Sequence, residues 1–200
     1  SNLVLDEFDT MLDMGFLQEV QKIIHQMHKR RQTILFSATE NIKQQGIING
    51  IVNGYERVRV SDGQANTDNI YQEVIKTKGD DEKIEILVDL LGKKAFKKVL
   101  IFSETKRQVS KLCRQLKKLQ IKVDEIHGDK SQQYRSKAIQ KFKSSNIQVL
   151  VATDVASRGI DIDNITHVIN YRIPNSKESY IHRIGRTGRA GKEGSAITFV

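Results

Sequence analysis

Short apolar runs alternate with longer amphipathic stretches along most of the chain. Runs of strand length occupy residues 3–5, 33–36, 99–102, 122–126, 147–152, 166–171 and 195–200. The core runs, such as 99-VLIF-102 and 147-IQVLVA-152, are β-branched and short. Strands buried on both faces of a parallel sheet read this way. Between them, 106-KRQVSKLCRQLKKL-119 and 131-SQQYRSKAIQKF-142 repeat apolar residues at helical spacing, and Ser131 stands where an N-cap belongs. The alternation predicts an α/β fold, a parallel sheet sandwiched by helices.

The periodicity lapses once, over the polar stretch 61-SDGQANTDN-69, which reads as a linker. Residues 1–60 hold too few strands to bury a comfortable independent core. They read as the closing part of a domain whose beginning is missing. Residues 70–200 hold strands enough for a complete α/β domain.

Charge sharpens this division. The net charge is +9, yet residues 1–60 balance 7 Lys/Arg against 7 Asp/Glu, so the whole surplus lies beyond them. A basic second part suggests a polyanionic partner, with a lysine-rich solvated surface as the plain alternative. The single cysteine, Cys113, excludes an internal disulfide, fits a reducing cytoplasm, and sits among Leu112, Leu116 and Leu119 as core filler. No apolar run approaches the roughly 20 residues of a membrane span, and no secretory signal pattern opens the chain. Cys and His do not occur at zinc-ligand spacing. Phe and Tyr total 12 with no Trp, which makes base-stacking platforms a weak expectation.

Four segments carry candidate chemistry. In 3-LVLDEFD-9 an apolar strand delivers Asp6 and Glu7 at its carboxyl end, where open α/β sheets bind ligands. A carboxylate there suits Mg²⁺ held through water, and its neighbour suits an attacking water; a solvated acidic turn is the plain reading. In 36-FSAT-39 the hydroxyls of Ser37 and Thr39 suit either a bridge to Asp9 or a helix cap. In 149-VLVATDVASRGIDI-162 a strand ends in Thr153 and Asp154, with Arg158, Gly159 and Asp161 following; Asp161 suits a ribose hydroxyl. In 182-HRIGRTGRAG-191 guanidinium forks, which bind phosphate bidentately, alternate with glycines that admit a close ligand. Arg186 and Arg189 are three apart, the spacing of one helical face.

In this order the segments resemble the DEAD-box branch of the superfamily-two RNA helicases. The resemblance covers essentially the whole chain, through 5-LDEFDTMLDMGF-16, 37-SAT-39, 99-VLIFSETKRQV-109, 127-HGD-129 with 132-QQYR-135, 152-ATDVASRGIDI-162 and 182-HRIGRTGR-189. It implies RecA-like architecture: a partial N-terminal RecA-like domain in residues 1–60, a linker over 61–69, and a complete C-terminal helicase domain in 70–200. It implies ATP and Mg²⁺ as cofactors, RNA gripped through its backbone as partner, no membrane association, and a cytoplasmic location. Asp6 resembles the residue that positions Mg²⁺, and Glu7 the one that activates water. Asp9, Ser37, Thr39 and His182 resemble the set coupling nucleotide to RNA. Asp161, with Gly159 beside it, resembles a nucleotide contact, and Arg186 and Arg189 the arginine fingers. Thr105, Arg107, Gly128, Gln132, Arg135, Thr153, Asp154 and Arg158 lie in motifs that line RNA or tie it to the nucleotide site.

Two departures stand out. Phe8 replaces the family's alanine in the acidic box, so a large ring must find room beneath the site. The 200 residues also contain no G-x-x-x-x-G-K-[ST] loop and no glutamine-containing adenine motif. Both precede the acidic box in the family, so the chain reads as a fragment that binds ATP poorly and is inactive by itself. The alternative is a catalytically impaired RNA clamp or scaffold, against which stands the retention of Glu7, Arg186 and Arg189. A DNA helicase of the same superfamily fits the 37-SAT-39 and 182-HRIGRTGR-189 forms least.

Overall fold

The computed structural model describes residues 1–13, 15–29, 31–37, 42–52, 54–59, 67–157 and 162–200. The chain divides into two compact units, Ser1–Gln64 and Ala65–Val200. Most of the stretch read as a linker lies outside the described residues.

In the first unit, β1 (Asn2–Leu5) pairs in parallel with β2 (Gln32–Leu35), Asn2 opposite Gln32 and Leu5 opposite Leu35. Three helices accompany them: α1 (Phe8–Asp13), α2 (Leu17–Gln26) and α3 (Ile42–Ile51). Leu5, Phe8, Val20 and Ile51 form the core, with Leu3, Met11, Ile24, Leu35 and Ile47 packed around it. Among the described residues one sheet face is left open: Val4 and Ile34 are register partners and both are exposed.

The second unit is built on a six-stranded sheet, every pairing parallel, in the order β3 (Ile70–Ile75), β8 (Gly194–Phe199), β7 (His167–Asn170), β4 (Val99–Phe102), β6 (Val149–Ala152), β5 (Val123–Ile126). Alternate residues face opposite layers. Val99 and Ile101 pack with Leu87 and Leu91 of α4 (Asp80–Gly92) and Val109, Leu112 and Leu116 of α5 (Lys106–Lys118). Leu100 and Phe102 pack with Ala138 and Phe142 of α6 (Gln132–Lys143) and Ala156 of the short α7 (Asp154–Ser157). On the same side, Ile184 of α8 (Lys177–Ile184) meets Ala196 and Ile70. Burial from both sides is why the central strands are unbroken apolar runs. Ser131 caps α6 as its position foretold, accepting from the Tyr134 amide at 3.2 Å. Cys113 is buried in the α5 layer, and that burial pushes its thiol up to about 11, which makes it inert.

Strand β5 is buried although two of its four residues are acids. The charges are met locally. Asp124 accepts from the Tyr134 hydroxyl and from Lys141 at 3.2 Å, and Glu125 pairs with Lys130 at 2.7 Å. Burial pushes both carboxyls up, but these donors outweigh it and hold them below their ordinary values. Burial also lowers His127, with Glu125 at 3.7 Å pulling it back only in part, and burial lowers His167. All four values fall on folding, so each group stabilises the fold above its unfolded value and ceases to as pH drops through its folded one. The urea midpoint of the second unit is therefore expected to fall from about pH 6.5 downward, the histidines acting first and the carboxylates below about pH 4.5. A midpoint flat to about pH 5 would contradict this account.

Candidate functional site

At the carboxyl end of β1, the chain delivers an exposed Asp6 and a half-buried Glu7. Two backbone bonds fix the neighbouring motif beside them. The Phe36 amide donates to the Leu5 carbonyl at 2.8 Å, and the Phe8 amide to the Phe36 carbonyl at 2.9 Å. Ser37, also exposed, thus follows directly alongside the acidic box. Glu7 has φ 50°, a left-handed conformation that costs a non-glycine residue about 1–3 kcal/mol. The Asp6 carboxylate accepting the Glu7 amide at 2.9 Å, and the Glu7 carbonyl accepting the Met11 amide at 3.1 Å, hold it there. Strain of this kind collects at functional positions. Asp9 is buried, its Oδ1 accepting the Thr10 amide at 3.0 Å. The Phe8 ring is fully buried in the core against Leu5, Val20 and Ile51. Thr39 lies outside the described residues.

Asp6 suits a Mg²⁺ ion held through water. Such ions take one or two protein carboxylates and otherwise water and ligand phosphates. Its side chain is exposed at the sheet's carboxyl end, with Oδ1 accepting the Glu7 amide. Among the described residues no cluster of three His, Cys, Asp or Glu is able to hold an ion by itself.

In the second unit the sheet's carboxyl edge gathers the three motif segments that follow β4, β5 and β6. The Ser103 amide donates to the Ala152 carbonyl at 3.0 Å, the Tyr171 amide to the Phe102 carbonyl at 2.9 Å, and the Thr153 amide to the Ile126 carbonyl at 3.4 Å. Thr105 caps α5 in a reciprocal box: its hydroxyl accepts the Gln108 amide, and Gln108 Oε1 accepts the Thr105 amide, each at 3.2 Å. Arg107 and Gly128 are exposed beside it. Gln132 accepts from Arg135 at 3.3 Å, and Arg135 also donates to the Ala156 carbonyl at 3.2 Å, tying α6 to α7. Thr153 is buried. Arg158, Gly159 and Asp161 lie outside the described residues.

Asp154 is engaged inside the fold. Its two oxygens accept the Arg183 Nε at 2.6 Å and Nη2 at 2.7 Å. Arg183, only 3 % exposed, donates its Nη1 to Asn170 Oδ1 at 3.2 Å and to the Arg172 carbonyl at 2.9 Å. Its guanidinium lies 5.2 Å from the Phe102 ring centre. This fork clamps α8 to the ends of β4, β6 and β7, so Asp154 positions the arginine motif rather than offering an open carboxylate. Sequence reasoning passed over Arg183; the signal was an arginine next to an apolar position inside the last turn of an amphipathic helix. Exchanging Asp154→Asn keeps the shape and removes the charge. It is expected to cost about 2 kcal/mol, the worth of hydrogen bonds to a charged group, read as a lower urea midpoint of the second unit.

Beyond Arg183 the motif leaves the helix. Half-buried His182 lies in the last turn of α8 and Gly185 caps it. Arg186 and Arg189 therefore do not share a helical face, contrary to their spacing. The Arg186 amide bonds the Arg183 carbonyl at 3.1 Å, and Thr187 is buried with its hydroxyl donating to the Ile165 carbonyl at 2.5 Å. Gly188 then turns left-handed at φ 67°, and a Cβ there would meet Ile70 at 2.7 Å. Arg189 starts a 3-10 turn, its Nε donating to the Gly185 carbonyl at 2.9 Å. Both arginines are half-buried on a loop pinned from beneath.

Comparison with known proteins gives the same outline. Residues 1–46 match the DEAD/DEAH box helicase model, and residues 82–191 match the helicase conserved C-terminal domain. The chain is 46% identical over 198 residues to the ATP-dependent RNA helicase CshA of Listeria monocytogenes, covering 99% of the chain and 38% of the relative. It is 44% identical over 198 residues to the CshA of Geobacillus kaustophilus, covering 99% of the chain and 42% of the relative. The chain spans about two fifths of the length of these curated relatives. Among solved structures, S. cerevisiae Dbp5 bound to RNA and ADP BeF3 superposes with a TM-score of 0.88 at 34% identity, covering 100% of the chain and 53% of Dbp5. A DEAD box protein from Methanococcus jannaschii gives 0.62 at 40% identity, again covering 100% of the chain and 53% of that protein. The parallel sheet covered by helices is the RecA-like architecture of these structures. With both models matched in chain order and identity sustained over nearly every residue, the chain belongs to the DEAD-box family of RNA helicases.

Proposed function

We propose that this chain is the part of an ATP-dependent RNA helicase that closes over ATP and grips one RNA strand. Residues 1–60 contribute the last part of the first RecA-like domain, 61–69 the linker, and 70–200 the second domain, in a cytoplasmic enzyme. Glu7 orients the attacking water and Asp6 holds Mg²⁺ through water; the ion, when bound, neutralises charge on the phosphates. Arg186 and Arg189 steady the charge that develops on the transferred phosphoryl group. Asp161 and Gly159 contact the nucleotide, while Asp9, Ser37, Thr39 and His182 couple its state to RNA. Thr105, Arg107, Gly128, Gln132, Arg135, Thr153 and Arg158 face the RNA backbone, and Asp154 acts through Arg183. Contacts of that kind hold a strand without reading its sequence. The phosphate-cradling loop would come from residues outside these 200, and without it the chain turns ATP over poorly.

One observation carries this reading: the acidic box stands at the carboxyl end of a parallel pair of strands on backbone pinned by hydrogen bonds, and the arginine loop is likewise fixed through Thr187. The clamp alternative, in which Phe8 is a lesion, is weakened because the ring fills the core rather than the site. The test is ATP turnover by the chain joined behind a first half that carries a phosphate-binding loop, with and without single-stranded RNA. RNA-stimulated turnover that Glu7→Gln abolishes is the expected result. RNA binding with no turnover would favour the clamp.

A further inference from the structure

Helix α5 carries six Lys and Arg in its 13 residues and no acid. Val109, Leu112, Cys113 and Leu116 face the core, so Arg107, Lys111 and Arg114, spaced four and three apart, form a stripe on the exposed side. Many helices carry such a stripe simply as solvated surface. This one borders a concavity. Lys106, Arg107, Ser110, Lys111 and Arg114 line a cleft of about 580 Å³ together with His127 and Asp129, which follow β5. That volume lies in the range of ligand sites.

The cleft's charge is almost wholly positive. Its one carboxylate, Asp129, is paired with Lys106 at 2.8 Å. Arg107 and Lys111 form no ion pair among the described residues. Arg114 donates its Nε to the Ser110 carbonyl at 3.3 Å, which fixes the guanidinium along the helix. His127 is 5 % exposed, and its Nε2 sits 3.1 Å from Ser110 Oγ. Its Nδ1 is buried and meets no hydrogen-bond partner among the described residues.

We propose that this cleft binds a phosphodiester stretch of RNA lying beyond the strand gripped at the carboxyl edge of the sheet, with Lys111 and Arg114 as its phosphate contacts. The inference rests on the RNA reading above and extends it. Helix α5 starts at that edge, after Thr105, and runs away from it. Arg107 belongs to the RNA-facing set, and Arg114 lies about 10 Å further along the axis at 1.5 Å per residue. Gly128, also in that set, is flanked by His127 and Asp129, so the cleft continues the same surface. A polyanion that already meets Arg107 reaches Lys111 and Arg114 without leaving the protein.

The test is fluorescence anisotropy of the 200-residue chain with a fluorescein-labelled oligouridylate, titrated with salt. Each phosphate contact on a single strand contributes about 0.7 to the slope of log affinity against log salt. Lys111→Ala with Arg114→Ala is therefore expected to reduce the slope by about 1.4. Lys94→Ala with Lys97→Ala removes the same charge from an exposed turn elsewhere and is expected to leave the slope unchanged. An unchanged slope in the cleft pair, with RNA still bound, overturns the inference while the RNA reading stands, and leaves the face to an acidic protein partner. Equal losses in both pairs overturn it as a net-charge effect. If the unsubstituted chain binds no RNA, the RNA reading itself fails and takes the cleft with it.

Discussion

On the function proposed above, replacing Arg186 with alanine is expected to lower RNA-stimulated ATP turnover by about 10³–10⁵-fold, the worth of an arginine finger in phosphoryl transfer. Three supports fix the loop. Thr187 anchors it from below, Gly188 supplies the left-handed turn, and Arg183 holds the preceding helix through Asp154. The substitution leaves those three supports untouched. Arg186→Lys keeps the charge and loses the planar fork, and should recover little. Arg189→Ala also removes the bond from its Nε to the Gly185 carbonyl, and that loss disturbs the turn. Turnover within about tenfold of the parent for Arg186→Ala would remove Arg186 from the site.

The second large effect concerns Phe8. The family has alanine at this place, yet Phe8→Ala is expected to destabilise the first unit by about 3–5 kcal/mol, the cost of emptying a phenylalanine site in a core. The ring is fully buried, and the fully covered part of that core comprises only Leu5, Phe8, Val20 and Ile51 among the described residues. A cavity there removes a large part of what joins β1 to α2 and α3. Hydrogen exchange reads the outcome: amides of β1 and β2 should lose protection, including the Phe36 amide that bonds Leu5. Unchanged protection would mean that the pocket collapses around alanine and that the ring is a passenger. Catalysis should suffer indirectly, since Asp6 and Glu7 lead straight into this residue.

The amino-acid pattern alone was enough for much of this molecule. Strands such as Val99–Phe102 and Val149–Ala152 are legible because burial on both faces leaves no polar position to break the run. Ser131 is legible because a cap is a local interaction, three residues long. The motif order made the family legible, and the charge imbalance pointed to a polyanion. Strand β3 was not legible. It is an edge strand paired with β8 alone among the described residues, and four of its six residues face solvent, so no apolar run marks it.

What the tertiary structure decided were the relations between residues far apart in the chain. Asp154 looks open in sequence, but folding brings it to Arg183, 29 residues on, and a fork with two short bonds takes both its oxygens. Arg186 and Arg189 look like one helical face, but α8 ends at Gly185 and Gly188 turns left-handed between them, where Ile70 leaves no room for a side chain. The basic stripe of α5 can be counted from spacing, whereas the opposite side of its cleft comes from His127 and Asp129 after a different strand. Sequence records periodicity and local capping because neighbours on the chain set them. Which polar groups satisfy one another, and which stay open to a ligand, depends on packing that brings distant segments together.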